Sequence, residues 1–129
     1  MKYNVDEVVK RWTEALRSGE YEQGEMALCD NGKYCCLGVL CDLYKDEFKL
    51  NLQTYGTETE FDGHSCSLPD VMQEAFGMTD LGRYKTENGL EALAADNDCG
   101  KTFAEISDII EQNKESIFQK ITQKEELGE

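Results

Sequence analysis

One apolar stretch, residues 34–44, constrains the fold of this chain more than any other feature: Tyr-Cys-Cys-Leu-Gly-Val-Leu-Cys-Asp-Leu-Tyr. Its apolar residues recur at the spacing of an α-helix, and only Asp42 is strongly polar. A helix that is apolar on nearly every side belongs inside a domain. A buried strand is the alternative, but the stretch is long for a strand and has more Leu than β-branched residues. We therefore predict a buried central helix over residues 36–45, in which Gly38 admits a neighbouring backbone.

The rest of the chain predicts helices around this centre. Capping residues and apolar periodicity indicate helices that start after Asn4, Ser67, Asn88 and Thr102, the last extending to Ile121. The Asn-Gly pair 31–32 predicts a hairpin before the central helix. Apolar and polar residues alternate over 48–53, which predicts a half-buried strand, and residues 57–61 are its predicted partner at an exposed edge. The predicted fold is α+β but predominantly α-helical, with about five helices packed around the central one and one or two short β-hairpins.

Length and composition limit the class of protein. The 129 residues suit one globular domain, 1–129, whose acidic tail, 124–129, is expected to fray. The chain contains no run of about 20 apolar residues and no apolar secretory signal, so we expect a cytoplasmic protein that does not engage membranes. Its six cysteines are then reduced thiols. The formal charge of −14 argues against direct nucleic-acid binding, but it permits imitation of a polyanion.

Four sequence segments resemble those of a known family. They are Trp-x-x-Ala-Leu-Arg-Ser-Gly-x-Tyr-x-Gln at 12–23, Tyr-Cys-Cys-Leu-Gly-Val-Leu-Cys-Asp-Leu at 34–43, Leu-Pro at 68–69 and Asn-Asp-x-Gly-Lys-Thr-Phe-x-Glu-Ile at 97–106. Together they resemble a family of small uncharacterised proteins common in bacteriophages and bacterial genomes. The chain departs from that pattern at Ala95-Asp96, where a leucine is expected, and in its longer charged tail. The resemblance implies a phage-type origin, and the host cytoplasm if the protein is phage-encoded.

Cys36 is the first candidate for chemistry. A cysteine at a helix N-terminus gains thiolate character from the helix dipole, and residues 35–40 faintly resemble the nucleophile helix of papain-like peptidases of the cell-wall hydrolase type. Such an enzyme needs a histidine to activate the thiol, and His64 is the only histidine. One hypothesis is therefore a thiol-dependent hydrolase or transferase. The simpler interpretation, which we favour, is that Cys36 is a small buried apolar residue.

Metal binding is the second possibility. Potential zinc ligands are spread through the chain: Cys29, Cys35 or Cys36, His64, Cys66 and Cys99. None of them has the Cys-x2-Cys or His-x3-His spacing of a strong zinc motif. The acidic run 96–98 lacks the alternating ligands of a calcium loop, and turn chemistry explains it more simply. We expect no metal and no cofactor.

A polar pocket is the third possibility, since loops held by a rigid frame are where binding groups gather. Its residues lie near the ends of the predicted elements: Arg17, Tyr21, Gln23, Tyr34, Asn97 and Asp98. Each of them also has a simpler interpretation as a turn former, cap or surface side chain.

Small size and an incomplete catalytic set favour a non-enzymatic binding protein of phage type. It would sequester a small ligand or block a host protein, with counter-defence as one such role. If the ligand is a nucleotide signal, its phosphates need a cationic cluster, for which the candidates are Arg17, Lys33, Arg83 and Lys101. The alternatives are the Cys36/His64 enzyme and an acidic nucleic-acid mimic, whose binding would weaken steeply with salt. The sequence does not determine the oligomeric state.

Overall fold

Six helices and seven strands make up the part of the chain described by the structure, a computed structural model covering residues 3–119. The helices are α1 (Val5–Arg17), α2 (Cys36–Tyr44), α3 (Asp70–Phe76), α4 (Leu93–Asp98), α5 (Phe103–Gln112) and α6 (Lys114–Ile117). The strands are β1 (Glu22–Gln23), β2 (Cys29–Asp30), β3 (Lys33–Tyr34), β4 (Leu52–Tyr55), β5 (Glu58–Phe61), β6 (Arg83–Thr86) and β7 (Gly89–Ala92). No helix within these residues is long and apolar enough to span a membrane.

The fold is α+β with a substantial sheet, so the prediction of a predominantly helical chain with one or two hairpins is wrong. Helices contain 42% of the described residues, and strands contain 20%. Five strands form one mixed sheet in the order β1-β3-β2-β5-β4, and β6 and β7 form a separate hairpin. Strands β1 to β3 have two residues each, too few to show a period in the sequence. The antiparallel pairing of β2 with β5 then joins both predicted hairpins into one sheet.

Helix α2 lies at the centre of the core, as predicted. Seven of its nine residues are buried. A Cβ atom on Gly38 would lie 1.8 Å from the carbonyl oxygen of Leu28, which confirms that this glycine admits a neighbouring backbone. The indole N–H of Trp12, which is fully buried on α1, donates to the carbonyl oxygen of Cys36 at 3.0 Å. Side-chain packing and this hydrogen bond hold α1 against α2.

Several predicted element ends are confirmed. Asn4 caps α1 by accepting a backbone N–H of the first turn at 3.1 Å. Thr102 and Glu105 form a reciprocal capping box at the start of α5. Asn31 and Gly32 have φ values of 56° and 77°, the left-handed conformation that a tight hairpin between β2 and β3 requires. Local capping and turn chemistry therefore determines these boundaries.

Predictions for the segment 88–98 are wrong. Residues 89–92 form β7, which pairs with β6, where we predicted a short helix. The helix α4 follows it and includes Asp96, Asn97 and Asp98, which we predicted as a loop. The apolar residues of this segment fit a helix and a strand equally well, and tertiary pairing decides between them.

Two further helix predictions need correction. Pro69, without a side-chain capping bond, precedes α3, so Ser67 is not its cap. The last predicted helix divides at Asn113 into α5 and α6, and its predicted end at Ile121 lies outside the described residues. The predicted frayed tail, 124–129, also lies outside them.

The second hairpin forms, but its strands differ from those predicted. Strand β4 begins only at Leu52, because residues 45–49 form turns after α2, in which the N–H of Phe48 donates to the carbonyl oxygen of Tyr44 at 3.1 Å. All four residues of β4 are exposed, where we predicted a half-buried strand. The predicted edge strand, β5, lies between β2 and β4. The edge of the sheet on this side is therefore β4.

Candidate functional site

Three of the six predicted pocket residues, Gln23, Asn97 and Asp98, lie in one hydrogen-bonded cluster. The side-chain amide of Gln23 donates to Asn97 Oδ1 at 3.0 Å and to the carbonyl oxygen of Lys101 at 2.8 Å. Its Oε1 accepts the backbone N–H of Phe103 at 3.1 Å. One side chain on β1 thus holds the loop between α4 and α5.

Asn97 is the centre of this cluster and is fully buried on α4. Besides the bond from Gln23, its Oδ1 accepts the backbone N–H of Cys36 at 3.2 Å. Its Nδ2 donates to the carbonyl oxygen of Gly24 at 2.8 Å and lies 3.5 Å from Asp98 Oδ1. An asparagine amide has two donor hydrogens and two acceptor lone pairs. The chain itself therefore uses the full hydrogen-bonding capacity of Asn97, leaving none for a ligand.

Asp98 fixes the loop between β1 and β2. Its Oδ1 accepts the backbone N–H of Met26 at 2.9 Å. Met26 has a φ of 72°, which is unusual for a residue other than glycine, and it is 74% exposed. Asp98 therefore holds this loop in a conformation that leaves an apolar side chain in solvent.

Tyr21 and Tyr34 form a second contact, edge to face, with ring centroids 5.1 Å apart. The hydroxyl of Tyr21 donates to Asp42 Oδ2 at 2.5 Å, and Lys45 Nζ lies 2.6 Å from Asp42 Oδ1. Burial, followed by the bond to Asp42, raises the pKa of Tyr21, and burial raises the pKa of Tyr34 to about 12. Both phenols stay neutral at physiological pH, and the phenol of Tyr21 links the segment between α1 and β1 to α2.

Arg17 does not share in either cluster. Its guanidinium donates to Asp108 at 2.7 Å and to Glu111 at 2.8 Å, which ties α1 to α5. The hydrogen bond from Arg17 lowers the pKa of Glu111. An open cleft of about 330 Å³ adjoins this ion pair. The cleft is lined by both acidic and basic side chains, which does not favour a phosphate.

Three of the four cations proposed for a phosphate site, Arg17, Lys33 and Arg83, bind carboxylates in separate parts of the fold, whereas Lys101 has no ion pair among the described residues. Lys33 lies 3.6 Å from Glu22 on β1, and Arg83 lies 2.8 Å from Asp80. Arg17 is bonded to α5. A phosphate would have to compete with a local carboxylate at each of these side chains.

Cys36 and His64 bond to different partners. The Cys36 side chain is fully buried, and its thiol donates to the carbonyl oxygen of Leu93 at 3.6 Å. Burial raises the pKa of Cys36 well above its usual value. This effect is larger than the lowering of the pKa that a helix N-terminus produces, so the thiol stays protonated. The ring of His64 bonds to Ser67 Oγ through Nδ1 at 2.9 Å. The structure therefore favours the interpretation of Cys36 as a buried apolar residue.

His64, Ser67 and Asp70 form a grouping that sequence analysis missed, although their spacing of three residues was a visible signal. The residue types are those of a hydrolytic triad. However, Asp70 Oδ1 lies 3.7 Å from His64 Nε2, beyond hydrogen-bond distance, and the Asp70 side chain is 89% exposed. A triad carboxylate is buried and hydrogen-bonded to its histidine. This geometry favours a local surface contact.

The cysteines divide between core and surface. Cys29, Cys35, Cys36 and Cys41 are buried, whereas Cys66 and Cys99 are exposed, and all six are free thiols. Across residues 3–119, no three His, Cys, Asp or Glu side chains are grouped so that they would hold a metal ion.

The architecture described above defines a small α+β domain built on a mixed five-stranded sheet. A family model described as "Domain of unknown function (DUF8296)" matches residues 1–114, and the chain belongs to this family. Comparison with curated proteins and with solved structures gave no significant match.

Proposed function

We propose that this chain is a binding protein that acts by occupying the surface of a basic partner protein. The observation that carries the proposal is that Gln23, Cys36, Gly24 and Asp98 together use all four hydrogen-bonding positions of the Asn97 side chain. The polar side chains of Gln23, Asn97 and Asp98, which were candidates for ligand binding, bond to other groups of the chain. We therefore assign recognition to the outer surface of the protein. The protonated, buried Cys36 supports a non-enzymatic role in the same way.

The charge of the surface favours a basic partner. The formal charge is −14. Six cations each lie within 4.0 Å of a carboxylate: Arg11, Arg17, Lys33, Lys45, Arg83 and Lys114. These pairs neutralise cationic side chains locally and leave an excess of carboxylates facing solvent. The negative electrostatic potential of these carboxylates attracts basic protein surfaces and accelerates their association at low salt.

A phage origin, a cytoplasmic location and a role in countering host defence belong to this proposal. They are supported by the motif resemblance at 12–23, 34–43 and 97–106. The nucleic-acid mimic is a second form of the same proposal, supported by the excess of acidic side chains: the partner would then be a protein that normally binds DNA or RNA.

Native mass spectrometry of the protein purified from the cells that produce it tests the proposal. We expect a complex with a basic protein that dissociates as salt is raised, because screening weakens charge attraction. Displacement of the chain by double-stranded DNA would identify the mimic. A retained mass of a few hundred daltons would instead support a sequestered small ligand and contradict the proposal, as would a chain without any partner at low salt.

A further inference from the structure

Strand β4 has no strand on one side, and its pairing with β5 determines which of its backbone groups point to that side. The N–H of Asp62 donates to the carbonyl oxygen of Asn51 at 2.7 Å. Hydrogen-bonded and non-bonded pairs alternate along an antiparallel ladder, so residues 51, 53 and 55 direct their backbone groups toward β5. The N–H and C=O groups of Leu52 and Thr54 consequently point away from the sheet. Within residues 3–119, no other element bonds to them.

This edge lacks the features that protect natural edge strands. Such strands usually carry lysine, proline or a bulge. The sequence of β4 is Leu-Gln-Thr-Tyr, and each of its residues is exposed. The opposite edge, β1, has only two residues. Strand β4 is therefore the edge best suited to accept another strand.

The two faces of the hairpin differ in chemistry. Paired residues share a face, which places Tyr55 beside Glu58 and Gln53 beside Glu60 on the outer face. Neither glutamate has an ion-pair partner among the described residues. The other face pairs Leu52 with the buried Phe61. A strand added to β4 would meet carboxylates on one face, and Leu52 beside Thr54 on the other.

We propose that β4 docks an extended segment of a basic protein in which Lys or Arg alternates with apolar residues. This inference rests on the proposed function and specifies the partner. A docked strand would lie about 4.8 Å from β4 and about 10 Å from β5. A lysine on its outer face reaches Glu58 or Glu60 across β4, and the 59% exposed ring of Tyr55 lies beneath its cationic end.

Apolar residues of the docked segment would cover Leu52, which is 40% exposed. A second copy of the chain is a poorer occupant of this edge. It would bring up a second chain with a net charge of −14, and its own β4 has no cation to offer the glutamates. Charge complementarity therefore selects the basic segment.

Titration of a fluorescent peptide of alternating Lys and Val, followed by anisotropy, tests the docking. We expect saturable binding that a peptide of alternating Glu and Val does not show. Two N-methylated versions provide the matched control, one methylated at every Val and the other at every Lys. Only one set of N–H groups faces β4, so one version should lose at least about tenfold in affinity while the other stays within about twofold. Absence of binding, or an equal effect of both methylations, overturns the proposal.

Variants of the protein test the same edge. Thr54→Pro removes an outward N–H, whereas Thr54→Val keeps it, and both lose the contact of the Thr54 hydroxyl with Thr59 at 3.2 Å. We expect only Thr54→Pro to weaken peptide binding, by at least about tenfold. The double variant Glu58→Gln, Glu60→Gln should weaken binding of the Lys peptide and flatten its dependence on salt. Equal affinities of Thr54→Pro and Thr54→Val would contradict docking at this edge.

The two proposals fail in different ways. If a basic partner is found by native mass spectrometry but the Lys-Val peptide does not displace it and Thr54→Pro does not release it, edge docking is wrong and the proposed function stands. If the peptide binds as expected but the chain from cells carries a small molecule instead of a protein, the proposed function is wrong.

Discussion

Asn97 accepts the first backbone N–H of the buried helix α2, from Cys36, across a sequence separation of 61 residues and a distance of 3.2 Å. The local cap of that helix is weak, because Cys35 offers only a thiol, 3.4 Å from the N–H of Gly38. A helix end buried without acceptors is unstable. The side chain of Asn97 supplies a stronger acceptor from a distant element, and it couples the position of α4 to the start of α2.

Asn97→Ala should destabilise the fold. The substitution leaves three groups without their partner: the buried N–H of Cys36, a half-buried N–H of the Gln23 amide and the half-buried carbonyl oxygen of Gly24. The cost is about 1–3 kcal/mol for a fully buried group. We expect a loss of at least about 3 kcal/mol in the free energy of unfolding, measured with urea. The exposed control Asn88→Ala should change it by no more than about 0.5 kcal/mol. If Asn97→Ala unfolds at the same urea concentration as the wild type, the cluster contributes little to the stability of the fold.

Gly38→Ala should be more damaging than its single methyl group suggests. The new Cβ would lie 1.8 Å from a backbone oxygen of Leu28, and a backbone atom cannot move aside as the end of a side chain can. We expect a loss of more than about 2 kcal/mol by urea unfolding, although alanine is the better helix former. Unchanged or increased stability would contradict this close approach.

Leu40→Ala tests the burial of the same helix by removing volume. Leu40 is fully buried, so its truncation should cost about 2–5 kcal/mol through lost contacts and a residual cavity. Glu115→Ala, an exposed substitution on α6, is the control and should stay within about 0.5 kcal/mol of the wild type. Equal midpoints for the two variants would contradict a buried α2.

Iodoacetamide labelling should separate the six cysteines into two groups. The thiolate is the reactive form. Burial raises the pKa of Cys35 to about 11 and raises that of Cys36 well above its usual value. In the folded protein we expect labels at the exposed Cys66 and Cys99, identified by mass spectrometry of proteolytic fragments. Cys36 should react only after unfolding in urea. Its labelling before Cys66 in the folded state would support the thiol enzyme instead.

The sequence predicted those parts of the fold that depend on neighbouring residues. The apolar periodicity of α2, the close approach at Gly38 and the Asn-Gly turn 31–32 are local signals that a single stretch carries in full. The pairing of β2 with β5 is not local, since Cys29 and Thr59 are 30 positions apart, and neither stretch contains information about the other that a single sequence reveals. The mixed sheet was therefore missed.

The sequence also predicted only part of the candidate site. Gln23, Asn97 and Asp98 do lie together, as the sequence suggested, but they bond to one another and to backbone groups of the chain itself. Residue types alone do not distinguish a ligand-binding amide from a structural one. Arg17 lies apart from this cluster because it pairs with Asp108 and Glu111. These two residues are on a helix more than 90 positions further along the chain, which the sequence near Arg17 does not reveal.

Tyr84 should make stability depend on alkaline pH. Its hydroxyl donates to Asp96 Oδ2 at 2.5 Å, and burial, followed by this hydrogen bond, raises the pKa of Tyr84 above its unfolded value of about 10. The folded state then holds the phenolic proton more tightly than the unfolded state does. The stabilisation is complete below about pH 10 and is lost as the pH rises from there toward the folded pKa.

Tyr84→Phe isolates this contribution, because it removes the titrating group and leaves the ring. At pH 7 we expect a loss of about 1–3 kcal/mol, since the Asp96 carboxylate loses a buried hydrogen bond. Between pH 9 and 11 the wild type should lose stability more steeply than Tyr84→Phe, as measured by urea unfolding at each pH. Tyr55→Phe, at a tyrosine that is 59% exposed, is the matched control and should follow the wild-type profile. If Tyr84→Phe and the wild type show parallel profiles, the bond between Tyr84 and Asp96 does not control the alkaline transition, and other groups must do so.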